Sequence, residues 1–224
     1  MEYKGIDVSA FQGDIDWEKV KDDGVEFAIV RAGFGDGNVD EKFEQNASEC
    51  NRLGIPMGIY WFSYAYTEEM AVNEAKFCLE QAEKYRLEYP IFYDFEGDSI
   101  RFAKENGVDI TAALGSDIVN SFCQEVQSNK YYASFYSDYD LITRLFQPYL
   151  RQRYALWFAQ YAQNPDITDS IIWQYSSLGR IAGIDGNVDL DVAFENLPDI
   201  IKKAGLNGLT TNDDDHECDC QCPG

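Results

Sequence analysis

Short apolar runs rich in Val, Ile, Tyr and Phe recur along the chain, each followed by a polar loop and, in the first half, by a segment of helical spacing. That alternation is the sequence form of repeated βα units. Strands are expected at 3–9 (YKGIDVS), 27–33 (FAIVRAG), 57–63 (MGIYWFS), 90–96 (PIFYDFE) and 131–137 (YYASFYS). Between them lie helical patterns with stop and start signals. Asp16 is a plausible N-cap for DWEKVKDD, Gly54 and Pro56 end DEKFEQNASECNRLG, and Thr67 opens TEEMAVNEAKFCLEQAEKY. SDIVNSFCQEVQSN and SDYDLITRLFQPYL follow the same logic. After residue 150, strands are expected at 154–161, 170–177 and 186–194, with connections too short for full helices, before a closing helix in NLPDIIKKAG. The pattern predicts an α/β fold, a modified TIM-like (β/α) barrel of eight strands with about five helices, its last strands lacking full helices. Residues 1–205 are expected to form the barrel, and 206–224, which have no apolar periodicity, an acidic Cys-containing tail.

Composition narrows the chemistry. At 224 residues the chain suits one large domain, and 15 Tyr with 4 Trp supply many ring faces on which sugars stack. A net charge of −22 argues against nucleic-acid or anionic membrane partners, which need clustered Lys and Arg. No run approaches the roughly 18 apolar residues of a membrane span, and MEYKGIDVSAF lacks the regions of a signal peptide, so localisation stays open. The one histidine, His216, sits in the tail. Serine and cysteine nucleophile systems and imidazole metal centres are thereby excluded from the barrel, and acid-base chemistry falls to carboxylates. No metal or organic cofactor is expected, and the protein is expected to be a monomer. Cys50, Cys78 and Cys123 lie in helical patterns and read as buried thiols. His216, Cys218, Cys220 and Cys222 lack the C-x2-C spacing of closed zinc sites.

The stretch YPIFYDFEGD (89–98) ends an apolar run with two carboxylates, Asp94 and Glu96, which strand alternation puts on one face. In a barrel of this kind the active site gathers at the strand ends. Those ends offer Asp7; Arg31 and Phe34; Tyr60 and Trp61; Asp94 and Glu96; Tyr136 and Asp138; Trp157 and Gln160; Gln174 and Tyr175; Asp189 and Asp191. Asp7, between Ile6 and Val8, faces opposite to both and so inward. A rim of acids and aromatics without histidine fits glycoside hydrolysis, in which one acid protonates the leaving oxygen and a second carboxylate handles the cationic transition state. Crowded acids raise one another's pKa, and the longer Glu96 is the expected proton donor. Spacing alone leaves retaining and inverting geometries open.

The motifs GIDVSAFQGDIDW, YDFE, WFAQY, WQYSS and GNVDLDVAF, in that order over residues 3–195, resemble the family 25 glycoside hydrolases, the Chalaropsis-type lysozymes. The resemblance implies an endo-acting muramidase that cleaves the β-1,4 bond between N-acetylmuramic acid and N-acetylglucosamine in peptidoglycan glycan strands with retention, working outside the cell or at the wall. It implies Glu96 as general acid/base, Asp94 as its carboxylate partner, acting either as nucleophile or by steadying an oxazolinium, and Asp7 and Asp189 as further site acids. Tyr60, Trp61, Arg31, Tyr136, Trp157 and Gln174 are the other candidate substrate contacts, although rings and amides at such positions equally serve barrel packing. Two departures bear on substrate preference: YWF where relatives often read Tyr-His-Phe, and VDLD where many read Val-Asp-Leu-Asn, which adds Asp191 near the rim. The rival readings are a non-catalytic peptidoglycan-binding barrel and a glycosidase acting on another N-acetylated glycan such as chitin.

Overall fold

In the computed structural model, which describes residues 2–211, the first strand β1 (Tyr3–Val8) turns Ile6 and Val8 outward and Gly5 and Asp7 inward, as alternation requires. α1 (Trp17–Asp22) follows, capped by Asp16, whose carboxylate accepts from the Lys19 amide. β2 (Phe27–Phe34) runs parallel to β1 and folds back into a two-residue antiparallel strand, β3 (Asn38–Val39). α2 (Phe43–Leu53) stops at Gly54, in the left-handed region at φ 66°, which glycine adopts without a Cβ clash. Next come β4 (Met57–Phe62), α3 (Glu68–Ala82) capped by Thr67, and β5 (Ile91–Asp94). α4 (Gly97–Glu105), α5 (Ala112–Ser128), β6 (Ala133–Asp138), α6 (Tyr139–Arg144) and α7 (Tyr149–Arg153) lead to β7 (Ala155–Ala159), β8 (Ile172–Gly179) and β9 (Val188–Ala193), and α8 (Leu197–Ala204) closes the fold.

Eight of these strands close into a barrel in the order β1-β9-β8-β7-β6-β5-β4-β2, with β2 returning to β1. The eight-stranded α/β barrel and the missing helices between β7, β8 and β9 match the sequence pattern. Three details differ. Eight α-helices occur among the described residues, because α4 and the split pair α6 and α7 are too short to show a full apolar period. β5 ends at Asp94, so Glu96 sits not on the strand but at the N-cap of α4, in extended conformation. β9 is antiparallel to both β1 and β8, so it is the start of that strand, at Asp189, that reaches the mouth beside Asp7.

Two apolar layers result. The outer one lies between strands and helices and holds Val8, Val30, Ile59, Trp61, Tyr93, Phe95 and Phe135, together with the buried free thiols of Cys50, Cys78 and Cys123. The inner one fills the barrel with Phe27, Ile29, Tyr60, Phe92, Tyr136 and Trp157. Trp157 is its centre, with ring centroids 4.4 Å from Tyr136, 5.1 Å from Phe92 and 6.0 Å from Tyr60. Below them Gly5 has to be glycine, because a Cβ there would lie 2.2 Å from the Phe27 ring. Chain beyond residue 205 still packs: Asn207 donates to the carbonyls of Leu87 and Tyr89 and accepts from the Tyr132 amide, and Leu209 is buried. The packed fold thus extends past the expected boundary at 205, while His216, Cys218, Cys220 and Cys222 lie outside the described residues.

Candidate active site

Alternation along β5 carries Tyr93 and Phe95 into the outer layer and Phe92 and Asp94 into the barrel, and Glu96, two residues on, continues the inward face. The Glu96 backbone N–H donates to Ser99 Oγ at 3.1 Å, which fixes the turn from strand into α4. Asp94 and Glu96 hydrogen-bond side chain to side chain at the wall of a cavity of about 260 Å³ in the barrel mouth. Two carboxyl groups in contact must share a proton. Burial, then the charge of Glu96, raises Asp94 well above the usual carboxylate range. Burial, with the charges of Asp138, Asp98 and Asp189, raises Glu96 to about 7 against the lowering hydrogen bond from Asp94.

Across the cavity a second acidic group forms where β1 meets β9. Asp7 and Asp189 are paired in register, and Asp191, nearer the barrel floor, hydrogen-bonds Asp7. Burial and the neighbouring charges of Asp191 and Asp189 raise Asp7 well above its ordinary value. Burial raises Asp189 to about 6 and Asp191 to about 8. Asp191 is 1% exposed and accepts from Trp157 Nε1 at 2.8 Å, so it lies beneath the rim, holding the floor, rather than on the rim as expected. Gln174 is a hub: its Oε1 accepts from the hydroxyls of Tyr136 and Tyr161, both at 3.1 Å, and its Nε2 donates to Asp7 Oδ2 at 2.7 Å. These bonds fix which end of the amide faces the acid.

Of the candidate site residues, Glu96, Asp94, Asp7, Asp189, Tyr60, Arg31, Tyr136, Trp157 and Gln174 all line this cavity. Trp61 does not. It is fully buried in the outer layer, where its Nε1 donates to the Gly35 carbonyl at 3.1 Å, because the strand residue next to inward Tyr60 must face outward. Asp138 caps α6 by accepting from the Leu141 amide at 2.9 Å. Ser9, Phe11, Gln12, Phe62 and Tyr161 also line the cavity. Most of these sit on connections rather than strands; Ser9, Phe11 and Gln12 lie in the motif GIDVSAFQGDIDW and Tyr161 in WFAQY, their one signal in the sequence. Among the described residues, no three carboxyl, imidazole or thiol groups are placed to hold a metal ion.

The raised acids set a pH dependence of stability. A carboxyl whose folded pKa lies above its unfolded value, near 4, takes up protons on folding, so its contribution is full below that value and is lost as pH rises through the folded pKa. For Asp189, Glu96 and Asp191 that window runs up to about 8. The thermal midpoint, followed by circular dichroism, is expected to fall between pH 5 and 8.5. In Asp191→Asn, whose amide keeps an acceptor for Trp157 and offers a donor to Asp7, the fall should be shallower. A slope identical to that of the parent counts against the shared proton.

The model of the family described as Glycosyl hydrolases family 25 matches residues 6–184. The autolytic lysozyme of Clostridium acetobutylicum is 28% identical over 202 residues, which is 87% of this chain and 56% of that protein. The modular autolysin LytC of Streptococcus pneumoniae, solved alone and in complex with a synthetic peptidoglycan ligand, superposes with a TM-score of 0.76 at 32% identity, covering 86% of this chain and 47% of that one. The bacterial lysozyme of Streptomyces coelicolor superposes with a TM-score of 0.74 at 22% identity, over 90% of this chain and 96% of that one, a likeness of fold. The chain therefore spans about half the length of the two autolytic proteins it matches.

Proposed function

Because the chain belongs to the family 25 glycosyl hydrolases, we propose that it is an endo-acting muramidase, cleaving the β-1,4 bond between N-acetylmuramic acid and N-acetylglucosamine in peptidoglycan. The observation that carries this reading is the hydrogen-bonded carboxyl pair Asp94 and Glu96 at the mouth of an eight-stranded barrel. Glu96, the less buried of the two, donates the proton to the departing glycosidic oxygen, for which a pKa raised to about 7 is suited. Asp94, held beside it, stabilises the positive charge that develops at the anomeric carbon, by attack on that carbon or by steadying the oxazolinium formed by the substrate's acetamido group. Both routes retain configuration. Asp7 and Asp189, across the cavity, bind the sugar hydroxyls, with Gln174 orienting Asp7.

Digesting purified peptidoglycan and chitin side by side, with mass spectrometry of the products, tests the reading. Muropeptides with N-acetylmuramic acid at the new reducing end are expected from the first substrate and no oligomers from the second. Saturable binding without new reducing ends identifies a non-catalytic barrel, and chitin oligomers a different glycosidase. Proton NMR of a soluble glycan during the first turnovers is expected to show the β-anomer before mutarotation; the α-anomer appearing first rules out retention.

A further inference from the structure

Beside the acid cavity, and continuous with it through Phe11, Arg31 and Phe62, runs a larger groove of about 800 Å³. Its outer wall is the β2–β3 hairpin, which Trp61 supports from behind: the indole bonds the Gly35 carbonyl, stacks on Phe77 at 6.4 Å, and fills the space a Gly33 side chain would need. Part of the lining that solvent reaches is apolar. Phe11 is 84% exposed and Val39 45%, two of the five large apolar residues exposed among the described ones, with Phe34 and Tyr64 beside them. Exposed apolar residues gathered in one groove mark a surface kept for a ligand.

The polar groups argue about which ligand. A saccharide needs several amides and carboxylates free to pair with its hydroxyls, and most of those in the groove are engaged, Asp98 by Arg101 at 2.7 Å. Asn38 Nδ2 donates to the Phe34 carbonyl at 3.3 Å, and the buried Asp40 accepts from the Ala10 amide, Arg31 Nε and the Lys42 amide. What the groove presents is an apolar wall, a guanidinium between the rings of Phe11 and Phe34 at 4.8 and 5.6 Å, and the exposed carboxylate of Glu41. Arg31 is the sole cation among the described residues lining either cavity.

We propose that this groove binds the peptide stem carried on the lactyl ether of the muramyl residue, an inference that rests on the muramidase reading above. Such a stem is a short peptide of small apolar residues with a free carboxylate near its root and, in many walls, a diamino residue further out. Its methyl groups suit the Phe34 and Val39 wall, its carboxylate Arg31, and its amine Glu41. With the glycan over the acid pair, the stem leaves sideways into a groove that shares Phe11 and Arg31 with the sugar site.

The test compares glycan strands bearing stems with strands stripped of them by an amidase, using the parent chain and Val39→Asp. Val39 lines the groove alone, on an exposed strand where a polar residue leaves the fold intact, which an unchanged thermal midpoint verifies. The parent is expected to show a kcat/KM about tenfold higher on stem-bearing strands, the size of effect one ion pair and a few apolar contacts supply. In Val39→Asp that ratio should fall to near one, through KM, with the rate on stripped strands unchanged. A ratio near one in the parent, or an undiminished ratio in the variant, overturns the proposal. If the parent cleaves neither substrate the muramidase reading fails, and calorimetric titration with the free stem peptide decides separately: binding lost in Val39→Asp supports the groove, and no binding to the parent overturns it.

Discussion

Replacing Glu96 with glutamine is expected to lower kcat on peptidoglycan by about 10²- to 10⁴-fold, the range over which a positioned general acid contributes. Glutamine keeps the length of the side chain and can still hydrogen-bond Asp94, so substrate binding and KM should stay close to those of the parent. What it cannot do is give up a proton as the glycosidic bond breaks. The same substitution removes one of two buried carboxyls in contact, so at pH 8 the variant should unfold at a higher temperature than the parent, because repulsion with Asp94 is gone. Loss of activity with a gain in stability distinguishes a catalytic acid from a structural one, which would lose both. Turbidity clearing of cell walls by Glu96→Gln at the parent rate means that the donor is another residue.

Trp157→Ala is expected to cost about 3–5 kcal/mol of folding stability, the usual range for emptying a large buried aromatic site. In a chain of this size that corresponds to a fall of about 6–20 °C in thermal midpoint. The indole fills the barrel between Tyr60, Phe92 and Tyr136, and it supplies the donor that satisfies Asp191 Oδ1. Trp157→Phe separates the two contributions: it keeps most of the ring but leaves the buried carboxyl short of a donor, at about 1–3 kcal/mol. Denaturant unfolding measures both. A loss below about 1 kcal/mol in the alanine variant would mean that the barrel interior closes over the gap, and that the floor under the acids is softer than its packing indicates.

Sequence pattern carried the barrel because strand period and turn chemistry are local. Ile6 and Val8 against Asp7, or Tyr93 and Phe95 against Asp94, reveal their faces without any knowledge of the partner strand. The same rule, applied to Tyr60 and Trp61, shows that both cannot face the cavity, and that is where reading each strand end as a cluster of candidates went wrong. Other features had no local signature. The direction of β9 depends on how the chain returns from residues 180–187, and β8 and β9 look alike as apolar runs in either orientation. Phe11 and Tyr161 reach the site from connections, where periodicity says nothing. Asp191 reads as a rim acid until the antiparallel pairing places it opposite Gly5, below Asp7. Acid chemistry as such was legible from the lack of histidine in the barrel, and so was the raised pKa of crowded acids; which acids meet was not, because that depends on contacts between residues as distant as Asp7 and Asp191.

The antiparallel closure between β1 and β9 also bears on when the molecule becomes competent. The first strand of the barrel is completed by its last, and the bond from Gln174 to Asp7 spans 167 positions of chain. Contacts of such long range form slowly and late. A nascent chain lacking β8 and β9 has Asp7, Asp94 and Glu96 but neither Asp189 and Gln174 nor a closed wall. The cleft is therefore assembled only once β9 has been made, and a product truncated before it is an open sheet with unpaired edges rather than a partly active enzyme.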